Sequence, residues 1–486
     1  MLAIRLVSGP ARPDTLVLPI RPEGPDGPAA LVPTAVAPGA DVRAEAVALL
    51  PATRLTGAAG EVREHLRPGG TPATLWLLGV GAGDEHGWRV AGAALARAAK
   101  DETHITIALP DEATDALRGL AEGLLLGSYR YRLTEAGGMP ALAEVDVVVG
   151  DPEALAPTLA AARTTAEMTR LARDLTNTPS STKNPEWFAA QVASAASGRP
   201  DLHLRVRGPE ELDAEGFGGI LAVGGGSASG PRLVELDWRP AGARTHVVLV
   251  GKGITFDTGG ISIKPVPAMK LMRKDMAGAA AVVAATLGAA ALGLPVRVTT
   301  LAPLAENMVS GSAFRPGDII RHYGGLTSES TNSDAEGRLV LADAMAYAVR
   351  ELQPDLLVDL ATLTGANAVA LGKRHAALYS ENDDLAADLL AAITAAGERA
   401  WRMPLADDYV EYLGSDIADL HSSPARGAGS VVAALFLREF TGDLRDRWVH
   451  VDMSAPSWSD DVHGELVKGA TGWGVRGLLR WMAALG

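Results

Sequence analysis

Four runs in the second half of the chain are almost continuously apolar: THVVLVG (245–251), VRVTTLAP (296–303), DLLVDLATL (355–363) and WVHVDMSA (448–455). Each is bounded by Gly, Pro or Asp. A strand with one face in water alternates apolar and polar residues, so a run without polar gaps needs cover on both faces. Between the runs lie Ala- and Leu-rich segments of helical length, such as 276–292 and 385–397. Strand and helix repeated in this way predict a largely parallel sheet with helices on both faces. Sheets of this kind bind ligands beyond the carboxyl ends of their strands.

The first half repeats the pattern on a smaller scale. TLWLLGVG (74–81), ITIAL (105–109) and VDVVVGD (145–151) read as strands, and 88–100 and 113–127 as helices. Gly79, Gly81 and Gly83 follow a strand but miss the GxGxxG spacing, because Asp84 and His86 stand where the last glycine belongs; an ordinary strand–helix turn is expected. Apolar residues returning at three and four positions predict a helix beyond Pro157, broken by TNTPSSTK, after which Asn184 and Pro185 begin another helix. The expected organisation is a small N-terminal α/β domain over 1–157, a linking helix over 158–175 and a larger catalytic α/β domain over 176–486, whose mixed, mostly parallel central sheet is flanked by helices.

Composition removes several chemistries. The chain has no cysteine, which excludes disulfides, thiolate nucleophiles and Cys-bound zinc. A formal net charge of −14 disfavours phosphate backbones, so nucleic acid is not an expected partner. There is no HExxH helix, no P-loop and no GxSxG elbow, since Lys264 replaces the second glycine in GISIK. His322, His375 and His450 are expected to be packing or surface residues. The uncharged stretch 277–296 has the length of a bilayer span, but it is mostly Ala and Gly and is expected to be a buried helix. With no long apolar core after the N-terminus, a cytoplasmic protein without membrane association is the expectation.

The segments after these strands are charged. GKGITFDTGGISIKP holds Lys252, Asp257 and Lys264, and MKLMRKDMAGAAAVV places Asp275 where the Ala-rich helix begins, a position a plain N-cap would also fill. TNSDAEGRLVLADAM (331–345) sets Asp334, Glu336 and Arg338 two apart, ahead of a helix expected to begin near Leu339. Taken singly, these are ordinary surface charges or caps. Gathered at one sheet edge, four carboxylates repel one another, and lysine, arginine or divalent cations must offset them. So many oxygen donors suit a pair of metal ions about 3.5–4 Å apart. Hydrolysis of a phosphoester is also open to such a pair.

These blocks carry a resemblance. NSDAEGRL (332–339) is similar to the signature octapeptide of the leucyl aminopeptidases, the cytosol aminopeptidase family of two-metal exopeptidases. VGKGITFDTGGISIKP, LMRKDMAGAAAV, DLATLTGA and KGATG resemble further family blocks in the same order, over about 175–486. The resemblance implies hydrolysis of the N-terminal peptide bond, leucine and similar first residues preferred, by attack of hydroxide at a metal pair. Asp257 and Glu336 would bridge two divalent ions, zinc or manganese; Asp334 would complete one site, and Lys252 and Asp275 the other. Lys264 would act as electrophile, and Arg338 would hold a bicarbonate as general base. Met272, Thr362, Leu363 and Gly365 would meet the substrate. Ser333 stands where the family usually has Thr, and Ser454 and Ser457 fall where apolar pocket residues are expected. Peptide substrates and a homohexamer built as a dimer of trimers are likewise implied.

Overall fold

The four apolar runs become neighbouring strands of one sheet in the computed structural model, which describes residues 2–9, 13–24, 27–134 and 142–486. His246–Gly251 lies between Arg297–Asn307 and Leu356–Ala361, with Trp448–Asp452 beyond the latter, and all four run parallel. Val247 and Leu249 enter the core on one face, Val248 and Val250 the core on the other. Val358 and Leu360 against Leu357 and Ala361 repeat the division. Both faces are dry, which is why the polar half of the alternation is missing. Ala277–Leu292, buried from Ala277 to Ala289, covers one face together with Val475–Ala484. Glu336–Tyr347 and Gly429–Arg438 cover the other.

Further strands extend this sheet on both sides through antiparallel pairs, except for the parallel pair of Ala376–Tyr379 with Ala400–Arg402. Arg232–Trp238 lies against Arg297–Asn307 and is followed by Leu202–Arg207, while Ala376–Tyr379 lies against Trp448–Asp452 and is followed by Ala400–Arg402. The mixed, mostly parallel sheet flanked by helices is thus as expected. Two boundaries beside the charged segments differ. The strand expected at 296–303 continues to Asn307, because the short strand Gly253–Asp257 pairs with its second half. The helix expected near Leu339 begins at Glu336, so Glu336 and Arg338 belong to its first turn. His246–Gly251 and Gly253–Asp257 are separated only by Lys252, whose N–H donates to the Leu360 carbonyl at 3.0 Å and whose carbonyl accepts from Ala279 N–H at 2.9 Å.

The larger unit comprises Met168–Ser459 and Gly469–Gly486, and the smaller Met1–Glu167 and Asp460–Lys468. In the smaller unit the strand order is Ala3–Val7, Glu144–Val148, His104–Ala108, Thr15–Pro22, Thr74–Gly79 and Val62–Leu66, with Ala29–Leu31 also paired to Thr15–Pro22. The first five run parallel and Val62–Leu66 is antiparallel. The glycine-rich turn is an ordinary one: Asp84 caps Glu85–Ala98, accepting from Gly87 N–H at 2.8 Å. The division between units falls within Pro152–Asn177, a helix longer than the periodicity beyond Pro157 indicates, with Asp151 accepting from its first N–H groups. Asn184 caps Pro185–Ala196 through Trp187 N–H at 2.8 Å.

Ala277–Leu292 touches the sheet through a glycine. A Cβ at Gly278 would lie 2.2 Å from the Leu360 oxygen and 3.0 Å from Lys252 N. Gly278→Ala is expected to destabilise the protein by about 1–3 kcal/mol in spite of alanine's better helix propensity. Gly311→Ala, with nothing within 4 Å of the new methyl, should stay within about 0.5 kcal/mol. Thermal unfolding of the two variants checks the difference; equal midpoints would contradict the close approach.

Candidate active site

The interruption at Lys252 takes its side chain out of the sheet ladder and into a buried acidic cluster. Its Nζ lies 2.8 Å from Glu336 Oε1 and 2.9 Å from Asp275 Oδ2, and donates to Asp275 Oδ1 at 2.9 Å and to the Thr362 carbonyl at 3.0 Å. Thr362 Oγ1 donates to Asp275 Oδ1 at 2.7 Å. The carboxylate of Asp275 is therefore not a helix cap; Met276 holds the cap position and no side chain caps it. Gly337 makes room for the amine, since a Cβ there would lie 2.4 Å from Lys252 Cε and 2.6 Å from Nζ. Lys264 pairs with Asp257 Oδ2 at 2.7 Å and with Asp334. Carboxylate oxygens of Asp257, Asp334 and Glu336 all lie within 4.8 Å of one another, so the two lysine–acid groups form one cluster.

Two loops are joined to hold it. Ser333 Oγ donates to the Gly259 carbonyl at 2.7 Å and accepts from Ser262 N–H at 2.8 Å, so serine supplies the one group this position needs. Asn307 Nδ2 donates to Asp257 Oδ1 at 2.8 Å and to the Ser333 carbonyl at 3.0 Å. Gly259 and Gly260 have φ of +87° and +64°, and a Cβ at Gly260 would stand 2.8 Å from Asn307 Oδ1. Both the dihedral and the space require glycine.

Burial pushes the Asp257 carboxyl up to about 8, with repulsion from Glu336 and Asp275 adding to it. It also pushes Asp275 up to about 6 against the pull of Lys252, and raises Asp334. For Glu336 burial is outweighed by Lys252 and Lys264, which hold it below the ordinary carboxylate value. Burial works against both ammonium groups, but Asp275 and Glu336 raise Lys252, and Asp257 and Glu336 raise Lys264. Three buried oxygens of the cluster have no hydrogen-bond partner: Asp275 Oδ2 and Asp334 Oδ1 are ion-paired with Lys252 and Lys264, and Glu336 Oε2 has no such ion pair. An unpartnered buried carboxylate oxygen is costly. A divalent cation at that oxygen would relieve both the missing partner and the mutual repulsion, so this donor set fits one.

The remaining candidates stand around the cluster. Arg338 is buried and donates from Nη1 to the Ser422 carbonyl at 2.6 Å, while its Nε has no partner. Burial lowers its guanidinium to about 10, against the attraction of Glu336 and Asp452. Met272 opens the 3₁₀ turn Met272–Lys274 that leads to Asp275. Thr362, Leu363 and Gly365 occupy the turn between Leu356–Ala361 and Ala366–Leu371; Leu363 is half-buried and Gly365 exposed. Ser454 Oγ donates to the Thr364 carbonyl at 2.6 Å and Ser457 Oγ to the Ser454 carbonyl at 3.0 Å, so both hydroxyls are taken up by main chain. Sequence reasoning missed Asn307 and Asp452. Each ends a strand of the sheet, and the search beyond strand ends would have reached them had it included neutral donors and last strand residues. Ser328, His322 and Asp343 also form a Ser–His–Asp row, at 2.8 and 3.0 Å, but all three are buried and closed to a substrate.

Residues 170–479 match the catalytic domain of the cytosol aminopeptidase family, and residues 28–134 its N-terminal domain. A protein of Streptomyces avermitilis named "Probable cytosol aminopeptidase" is 42% identical over an alignment of 497 residues, covering 96% of this chain and 95% of that one. A protein of the same name from Leifsonia xyli subsp. xyli is 45% identical over 411 residues, 82% of each chain. A solved structure described as "Bottromycin maturation enzyme BotP in complex with Mn" superposes with a TM-score of 0.84 at 37% identity, covering 97% of this chain and 99% of that one. With both domains matched and the relatives aligned over most of its length, the chain belongs to the cytosol aminopeptidase family of metal-dependent, peptide-hydrolysing enzymes.

Proposed function

We propose that the cluster is the active site of a cytoplasmic aminopeptidase that removes N-terminal residues, leucine and similar ones preferred, from peptides. The observation that carries this is the convergence of Lys252, Asp257, Lys264, Asp275, Asp334 and Glu336 on one site, open to solvent at Asp334 and with an unpartnered Glu336 oxygen. Asp257 and Glu336 would hold both of two divalent ions, Asp334 one of them, and Asp275 and Lys252 the other, Lys252 as a neutral amine once a dication replaces the proton it carries in its ion pairs with Asp275 and Glu336. Bound there, such ions supply Lewis-acid polarisation of the scissile carbonyl and activation of water. The BotP complex with Mn supports manganese as the occupant.

The chain's own groups do the rest. Lys264, raised above the ordinary lysine value, stays charged and donates a hydrogen bond to the carbonyl oxygen as negative charge grows on it. Arg338 stays charged at neutral pH, and its unpartnered Nε would hold a bicarbonate, which would supply a general base. The Leu363 carbonyl accepts from the reacting amine. Met272, Thr362 and Gly365 line the pocket for the first side chain. Because Ser454 and Ser457 give their hydroxyl protons to main-chain carbonyls, neither offers a free donor, which supports an apolar first residue. The proposed assembly is a hexamer of two trimers.

Chelation should abolish hydrolysis of aminoacyl anilides, and zinc or manganese should restore it; full activity in a metal-free preparation, or hydrolysis of aryl phosphates alone, would refute the proposal. Glu336→Gln is expected to lose bound metal and at least about 10²-fold in kcat together, read by elemental analysis and kinetics. Arg338→Ala should slow kcat by about 10- to 100-fold with metal content unchanged; a metal-free variant would contradict its role. Light scattering should return six chains per particle, and a monomer would contradict the assembly.

A further inference from the structure

The turn after Leu356–Ala361 is held on two sides by buried acids. On one side Thr362 is bonded to Asp275 and Lys252. On the other stands Asp452, at the carboxyl end of Trp448–Asp452 and 1% exposed. Its Oδ1 accepts from Leu363 N–H at 3.1 Å and Ser454 N–H at 3.0 Å. Its Oδ2 accepts from the N–H and Oγ1 of Thr364 at 2.9 and 2.8 Å. Ser454 bonds back to the Thr364 carbonyl, and Lys274 Nζ donates to the Ser454 carbonyl at 2.7 Å.

We propose that Asp452 is a positioning residue that fixes the Leu363–Thr364 turn and thereby sets which first side chain the enzyme accepts. This rests on the reading of Thr362, Leu363 and Gly365 as substrate-facing. Asp452 is not a catalytic residue, since its oxygens are turned to the protein's own main chain. Its chemistry suits the task. Each oxygen meets at least one main-chain N–H, and an ionised acceptor makes such bonds short and strong. An asparagine in either orientation must aim its NH₂ at one of those N–H groups, because an amide has a single acceptor oxygen. Asp452→Asn therefore keeps the volume and moves the turn. Thr362 is next to that turn and bonded to Asp275, so the pocket and the cluster share one support.

The test uses the full-length, metal-loaded enzyme and aminoacyl anilides that differ only in the first side chain, with metal content and thermal midpoint measured alongside. Asp452→Asn is expected to raise KM for the leucyl substrate by about tenfold, to change kcat by less than about threefold, and to shift the leucyl-to-alanyl ratio of kcat/KM by about fivefold or more. Equal loss of kcat on every substrate at unchanged KM, or a wild-type ratio, overturns the proposal. Ser454→Ala removes only the Oγ bond to Thr364; it should shift the same ratio in the same direction by about twofold, and it carries the test if Asp452→Asn does not fold. An unchanged ratio in Ser454→Ala then overturns the proposal. A wild-type enzyme that cleaves none of the panel overturns the aminopeptidase reading and this proposal with it, so the two failures are told apart.

Discussion

Asp257, Asp275, Asp334 and Glu336 repel one another, and the removal of water at the sheet margin strengthens that repulsion. The two ammonium groups are placed to answer it, Lys252 between Asp275 and Glu336 and Lys264 between Asp257 and Asp334. Removing either lysine would leave buried charge uncompensated, which in general costs about 3–5 kcal/mol. Much of the local architecture follows from getting these amines into place. The sheet ladder is interrupted at Lys252, a short second strand resumes at Gly253, and the neighbouring strand lengthens to Asn307 to pair with it. Asn307 then reaches both Asp257 and the loop that carries Asp334.

The fold was legible where burial is uniform. Val247 to Val250 have no polar gap because both neighbouring layers are dry, and that can be read from the letters alone. The site was legible for a related reason: acids directly after such strands have a common edge to go to. Boundaries set by tertiary pairing were not legible. Nothing local marks the continuation from 303 to Asn307, whose cause is a partner about fifty positions earlier in the chain. Val62–Leu66 was invisible because, as an edge strand with its middle residues exposed, it has no apolar run to read.

Ser454 and Ser457 show a different limit. As letters they imply a polar pocket wall, because a serine's composition says nothing about where its hydroxyl points. In the fold each hydroxyl is bonded to a carbonyl three or more positions away. Asp452 has the same lesson in reverse. Its carboxylate reads as one more acid at a strand end, yet its oxygens serve three main-chain N–H groups and a hydroxyl.

Gly337 sits in the first turn of Glu336–Tyr347, where glycine is a poor helix former, less favourable than alanine by about 1 kcal/mol. A protein engineer seeking heat resistance would choose that position early, since glycine-to-alanine changes in helices are a standard route to a higher melting temperature. Here the added methyl would occupy the space of the Lys252 amine. Thermostability and catalytic competence compete for the volume of one methyl group, so hardening this enzyme has to begin on surfaces remote from that helix start.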